Sequence, residues 1–193
     1  MTNNIYSFKV ILIGDGAVGK TSLIKRFVHD TFNREYINTL GSEITKYTER
    51  IEDDSIKLIF WDIAGQSGFS NIRENFFKGS NAAIIVFSHE ENERGEESFK
   101  NVLKWLQEIY KHCQRIPIIL FGNKVDLVNV GALEANEALP KSDKNINKLA
   151  KDMCFLGYFK TSALTGEKVQ EAFNKLINEL YVLQKRIEDH KKA

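Results

Sequence analysis

The chain has 193 residues, enough for one domain with a sizeable core. Its formal net charge of +1 supplies no global field for nucleic acid or an anionic membrane, so a nucleic-acid partner is not expected. The two cysteines, Cys113 and Cys154, form no CxxC pair, which argues against a disulfide framework or a zinc site and for a reducing, cytoplasmic setting.

The N-terminus "MTNNIYSF" lacks the basic start and apolar stretch of a secretory signal, and no run is long enough to span a bilayer. Thr at position 2 argues against N-myristoylation, and the end "EDHKKA" offers no cysteine for a prenyl group. The histidines His29, His89, His112 and His190 have no metal-ligand spacing.

Strand-like and helix-like segments alternate along the chain. "FKVILI" (Phe8 to Ile13) is a short apolar strand stopped by Gly14, and "SLIKRFV" after it has helical spacing. "EITKYTERI" alternates as an edge strand does, "DDS" turns, and "IKLIFWDI" is its hairpin partner. "AAIIVF" and "IPIILFG" read as fully buried strands. The acidic stretch "SHEENERGEES" reads as a solvated loop. One helix is expected over "EESFKNVLKWLQEIYKH", with Phe99, Val102, Leu103, Leu106 and Ile109 on its buried face. A long connection from Val128 to Asn145 follows, then a short helix "NINKLAKDM", a last strand "GYFKTSA" and a long amphipathic helix from "EKVQEAF" onward. That order predicts an α/β fold: a mixed, mostly parallel six-stranded sheet with helices on both faces. A single domain over residues 1–193 is expected, with a helix extension from about 184. Ligands of such sheets bind at the carboxyl ends of the strands.

The motifs lie at those ends. Gly14 to Thr21 reads G-D-G-A-V-G-K-T, a match to the P-loop pattern G-x-x-x-x-G-K-[ST], between a strand and a helix. Its glycines let backbone N–H groups turn toward an anion, so Gly16, Ala17, Val18, Gly19, Lys20, Thr21 and Ser22 are expected to cradle phosphates. Lys20 can reach the terminal phosphates, and the Thr21 hydroxyl can ligate Mg2+. "WDIAGQSGF" follows the third strand. Asp62 is placed to hold Mg2+ through water, Gly65 to bring an N–H against a γ-phosphate, and Gln66 to orient an attacking water. "GNKVDL" names the base. Asp126 can accept two hydrogen bonds from the donor edge of guanine, whereas adenine would leave that carboxylate unpaired. Asn123 and Lys124 can hold the ring and the loop.

These motifs, with Thr39-Leu-Gly and "TSALTG", occur in the order and spacing of one family. The chain resembles the small GTPases of the Ras superfamily over roughly residues 7 to 183. It looks most like the Rab branch, through "WDIAGQ", "NFFKGSNAAIIVF" and "SFKNVLKWLQEI". The resemblance implies a P-loop three-layer fold and a protein that cycles between GTP and GDP, hydrolysing GTP slowly. It implies that Phe32 packs on the guanine, Tyr36 closes over the phosphates, and Thr39 joins Thr21 on Mg2+ when the γ-phosphate is present. Ser162, Ala163 and Leu164 would meet the base from the last loop, Leu164 standing where a lysine is common. Gly16 falls where a side chain would hinder hydrolysis. Effectors, exchange factors and GTPase-activating proteins would read residues of about 31–42 and 64–77.

The family's C-terminal prenyl cysteines are not in this sequence, so either the chain continues beyond Ala193 or it works without that anchor. Peripheral membrane association stays open. Two other readings share the motifs: a GTP-binding scaffold with little or no hydrolysis, and a Ras- or Rho-like signalling switch. A small-molecule kinase is a further class, disfavoured by N-K-x-D and by the lack of a basic lid.

Overall fold

The computed structural model describes residues 4–30, 42–65 and 70–192. The elements run β1 Ile5–Ile13, α1 Lys20–His29, β2 Ser42–Ile51, β3 Asp54–Ile63, α2 Ser70–Phe77, β4 Ala82–Ser88 and α3 Glu93–Lys100. Then come α4 Val102–His112, β5 Ile118–Asn123, α5 Val130–Ala135, α6 Asp143–Asp152, β6 Tyr158–Lys160 and α7 Val169–Lys192. The six strands form one sheet in the order β2-β3-β1-β4-β5-β6. Only β2 is antiparallel to its neighbour, pairing Ser42 with Ile63 through to Ile51 with Asp54. This is the mixed, mostly parallel α/β sheet expected from the alternation of elements.

Strand periodicity explains the two cores. In β1, Val10 and Leu12 face one side and Ile11 and Ile13 the other, all buried. The first side packs on α1 through Leu23, Ile24 and Phe27 and on α7 through Phe173, Leu176 and Ile177. Phe27 stacks on Phe173 at 4.3 Å between ring centroids, and Phe60 meets Phe173 edge-on. The second side packs on Phe77 of α2, on Val102, Trp105, Leu106 and Ile109 of α4, and on Ile146 and Ala150 of α6. A strand buried on both faces carries no alternation, which is why β4 and β5 are apolar runs.

The acidic stretch departs from expectation. Helix α3 starts at Glu93, because the Asn92 side chain caps it by accepting from the Gly95 N–H at 2.9 Å, and Glu93 and Glu96 sit in its positive first turn. The helix expected to run on unbroken is divided at Asn101, whose N–H donates to the Glu97 carbonyl. In α4 the spacing Val102, Trp105, Leu106, Ile109 makes a full buried face, so Trp105 turns inward and Leu103 outward, 44% exposed. The last helix begins at Val169, two residues later than expected, and stays helical through the extension to Lys192. Leu180, before the extension, is buried, and Ile187, within it, is exposed. No helix among the described residues is long and apolar enough to cross a membrane.

Candidate functional site

The carboxyl ends of β1, β3 and β5 bring the motif residues to one edge of the sheet. β1 ends at Ile13, and the loop Gly14–Gly19 returns into α1. Lys20 is buried and donates to the carbonyls of Gly14 at 2.8 Å and Asp15 at 2.9 Å, folding back over its own loop. Gly19 stands at φ 100°, and a β-carbon there would lie 2.3 Å from the Asn123 side-chain nitrogen. Gly65 is tighter: a β-carbon would come within 2.3 Å of the Gly14 carbonyl oxygen. Both glycines are therefore required by close approach. Gly16 has open space around its α-carbon, and Ala17 adopts the left-handed φ of 64°.

Leu12 of β1 pairs with Asp62 of β3, which carries Asp62 to the mouth of the loop. The Thr21 hydroxyl donates to the buried Asp62 carboxylate. A hydroxyl and a carboxylate side by side form an all-oxygen donor pair, the chemistry that Mg2+ prefers. Among the described residues no cluster of three or more His, Cys, Asp or Glu could hold a metal alone. The pair therefore fits an ion that takes few protein ligands and completes its shell with phosphate and water.

Asn123 ends β5 and ties the two halves of the site. Its amide donates to the Val18 carbonyl at 2.8 Å, and its oxygen accepts from the Ala163 N–H at 3.1 Å. Lys124 follows at a left-handed φ of 67°. Asp126 accepts from the Ser162 hydroxyl, and Ser162 and Ala163 are buried after β6. Arg26 of α1 holds the same loop by donating to the carbonyls of Ala163 at 2.8 Å and Leu164 at 2.6 Å. Leu127, next to Asp126 in the chain, and Leu164 of the last loop stay exposed. Ser22 sits half-buried on α1.

A family model described as "Ras: Ras family" matches residues 9–182. The chain belongs to the Ras family. Membership makes it a small GTPase of the kind that binds GTP or GDP with Mg2+ and switches between the two states.

In this GTPase, Gly16 to Thr21, Asp62, Gly65, Asn123 to Asp126 and Ser162 to Leu164 all lie along the same sheet edge. Phe32, Tyr36, Thr39 and Gln66 fall outside the described residues. Three residues around the site have roles that the motifs do not specify. Asp15 accepts from the Asn101 amide and the Trp105 indole N–H, each at 2.7 Å, pinning the phosphate loop to α4. Glu90 pairs with Lys124 at 2.6 Å. Burial would raise the Glu90 carboxyl, but Lys124, Ser88 and Asn92 outweigh it and hold it below the usual range. Lys141, from the long connection, is buried against Glu96 and the β4–α3 loop. The only sequence signal for these is that Asp15 occupies a variable position inside the P-loop; Glu90 and Lys141 look like surface charges.

Proposed function

We propose that this Ras-family chain is a Rab-like switch that binds guanine nucleotide, hydrolyses GTP slowly with Mg2+, and acts in vesicle trafficking or signalling from the cytoplasm or the surface of a membrane. The observation that carries the nucleotide choice is the Asp126–Ser162–Ala163 arrangement, joined to the phosphate loop through Asn123 and Val18. A buried hydroxyl that donates to one side of a carboxylate orients it, and an oriented carboxylate suits the paired N–H donors of guanine.

In this reading Gly16, Ala17, Val18, Gly19, Lys20, Thr21 and Ser22 take the phosphates. Thr21, Asp62 and Thr39 hold Mg2+, which supplies charge neutralisation at the β- and γ-oxygens when bound. Gln66 orients the attacking water, Gly65 senses the γ-phosphate, and Phe32, Tyr36 and Leu164 close on base and phosphates. Exchange factors, activating proteins and effectors meet residues of about 31–42 and 64–77, whose order follows the nucleotide. The Rab assignment rests on "WDIAGQ" and "NFFKGSNAAIIVF".

Calorimetric titration of nucleotide-free protein with GDP and ADP is the test. GDP is expected to bind about 10³-fold more tightly or better, since the wrong base strands a carboxylate. Equal affinities would end the guanine assignment. Single-turnover phosphate release from GTP separates the switch from a non-hydrolysing scaffold.

A further inference from the structure

The long connection between β5 and α6 reaches the base site through Lys141 and Glu90, which no motif contains, and through Lys124 of the N-K-x-D motif. Lys141 lies in that connection, just before α6, with its side chain 6% exposed. An ammonium has three protons to donate. Here three acceptors take them: Glu96 Oε1 at 2.8 Å, the Glu90 carbonyl at 2.8 Å and the His89 carbonyl at 3.1 Å. A buried cation so satisfied fixes the backbone it touches, because moving any acceptor would leave a buried charge short of partners.

The backbone it fixes is that of His89 and Glu90. His89 is held from beneath as well. Its ring nitrogen Nε2 lies 2.6 Å from the Tyr158 hydroxyl, and a β-carbon on Gly122 would come within 2.5 Å of that atom. Glu90 then turns its carboxylate to the Ser88 hydroxyl at 3.0 Å and to Lys124 Nζ at 2.6 Å. Glu90 and Lys124 line one small cleft with Gly16, Ala17 and Val18 of the phosphate loop. Lys124 is thus anchored at both ends: its backbone by the left-handed turn after Asn123, its ammonium by Glu90.

We propose that Lys141 and Glu90 are positioning residues for guanine nucleotide, acting in series to hold Lys124 as a rigid wall of the base site. The long connection thereby takes part in nucleotide retention. This rests on the guanine-nucleotide reading above. It differs from that reading in assigning retention to residues outside the nucleotide motifs.

The probe is fluorescent N-methylanthraniloyl-GDP, loaded on the full chain with Mg2+ and chased with unlabelled GDP. Lys141→Met, which keeps most of the stem, and Glu90→Ala are each expected to speed release about tenfold, the scale of one charge-assisted hydrogen bond. The double variant should release no faster than the quicker single one, because both act through one path. In a Lys124→Ala background neither substitution should add anything. Lys144→Ala, which removes the exposed pair between Glu137 of the connection and the first turn of α6, should leave the rate unchanged. Additive effects, or acceleration that persists without Lys124, would show general loosening and overturn the relay. Release within twofold of the parent in either single variant would overturn it too. If the parent chain fails to take up the probe, the guanine reading itself falls. Should Lys141→Met not fold, Glu96→Gln leaves the lysine in place and is expected to give a smaller acceleration in the same direction; no acceleration would count against the relay.

Discussion

The two ends of the sheet differ in how far their polar side chains reach into the main chain. At the carboxyl end, side-chain pairs such as Thr21–Asp62 and Ser162–Asp126 are joined by side chains that hold main-chain carbonyls: Lys20 takes Gly14 and Asp15, Asn123 takes Val18, and Arg26 takes Ala163 and Leu164. At the other end, where β2 turns into β3, side chains hold one another. Asp54 accepts from Lys185 at 2.6 Å and from the Tyr181 hydroxyl at 2.9 Å, and Tyr6 donates to Glu188 at 2.8 Å. Lys185 also lies over the Tyr6 and Tyr181 rings. A loop gripped by its carbonyls can turn its N–H groups toward an anion. A cluster whose groups are matched internally can only stabilise the fold. The first end should therefore control ligand affinity, and the second should control stability.

The largest effect that tests this division is at Asp126. Asp126→Asn replaces one acceptor oxygen with a donor and is expected to weaken GTP binding by about 10²-fold or more. Because Asp126 is exposed, the melting temperature of the nucleotide-free protein should move little. A large fall in that temperature with affinity retained would reverse the roles of the two ends.

Next is acid unfolding at the opposite end. The Lys185 hydrogen bond, outweighing burial and helped by the Asn4 N–H and Tyr181, holds the Asp54 carboxyl down to about 2. A carboxyl lowered in the folded state favours folding above its unfolded pKa. That contribution is lost as the pH falls through the folded value. Stability from this group should therefore be full above about pH 4 and decline from there toward pH 2. Lys185→Met should move the acid-unfolding midpoint upward, read by circular dichroism. An unchanged midpoint would mean the clamp is ornamental.

The carboxyl-end half of this division is legible in the sequence. Gly14 to Thr21 and Asn123 to Asp126 are legible because phosphate and base chemistry demand residue types at fixed spacing after a strand. The β1 and β4 apolar runs, with the helical periods between them, dictate the sheet. The rest was hidden for physical reasons. Lys141 and Glu90 meet across 51 positions, and a charge in a polar stretch carries no mark of burial. Leu103 and Trp105 are both apolar, and Trp105 enters the core because α4 starts its own face at Val102 after the break at Asn101. The Asp54 clamp joins a hairpin turn to a helix about 130 residues away, a distance that no local pattern spans.

Tyr181→Phe makes a smaller and cleaner test of the clamp. The ring stays packed while the hydroxyl that serves Asp54 and Glu52 is removed. The expected cost is about 1–2 kcal/mol of stability, with GDP affinity unchanged. Any loss of affinity would show that the β2–β3 hairpin carries strain from one end of the sheet to the other.

Trp105 should give the smallest effects, and on both readouts. Its ring is buried in the core, yet its indole N–H reaches Asp15 of the phosphate loop at 2.7 Å. Trp105→Phe keeps an aromatic ring at the site but loses that bond. Asn101 still donates to the other Asp15 oxygen, so the loop keeps one of its two pins. The expected cost is about 1 kcal/mol of stability, with a two- to fivefold rise in the rate of GDP release that is roughly its kinetic counterpart. Asp126 should move affinity alone and Tyr181 stability alone. A residue that moves both marks where the core hands rigidity to the phosphate loop. If Trp105→Phe shifts stability and leaves release untouched, Asn101 alone suffices to hold Asp15, and the boundary between the two regions lies one helical turn nearer the loop.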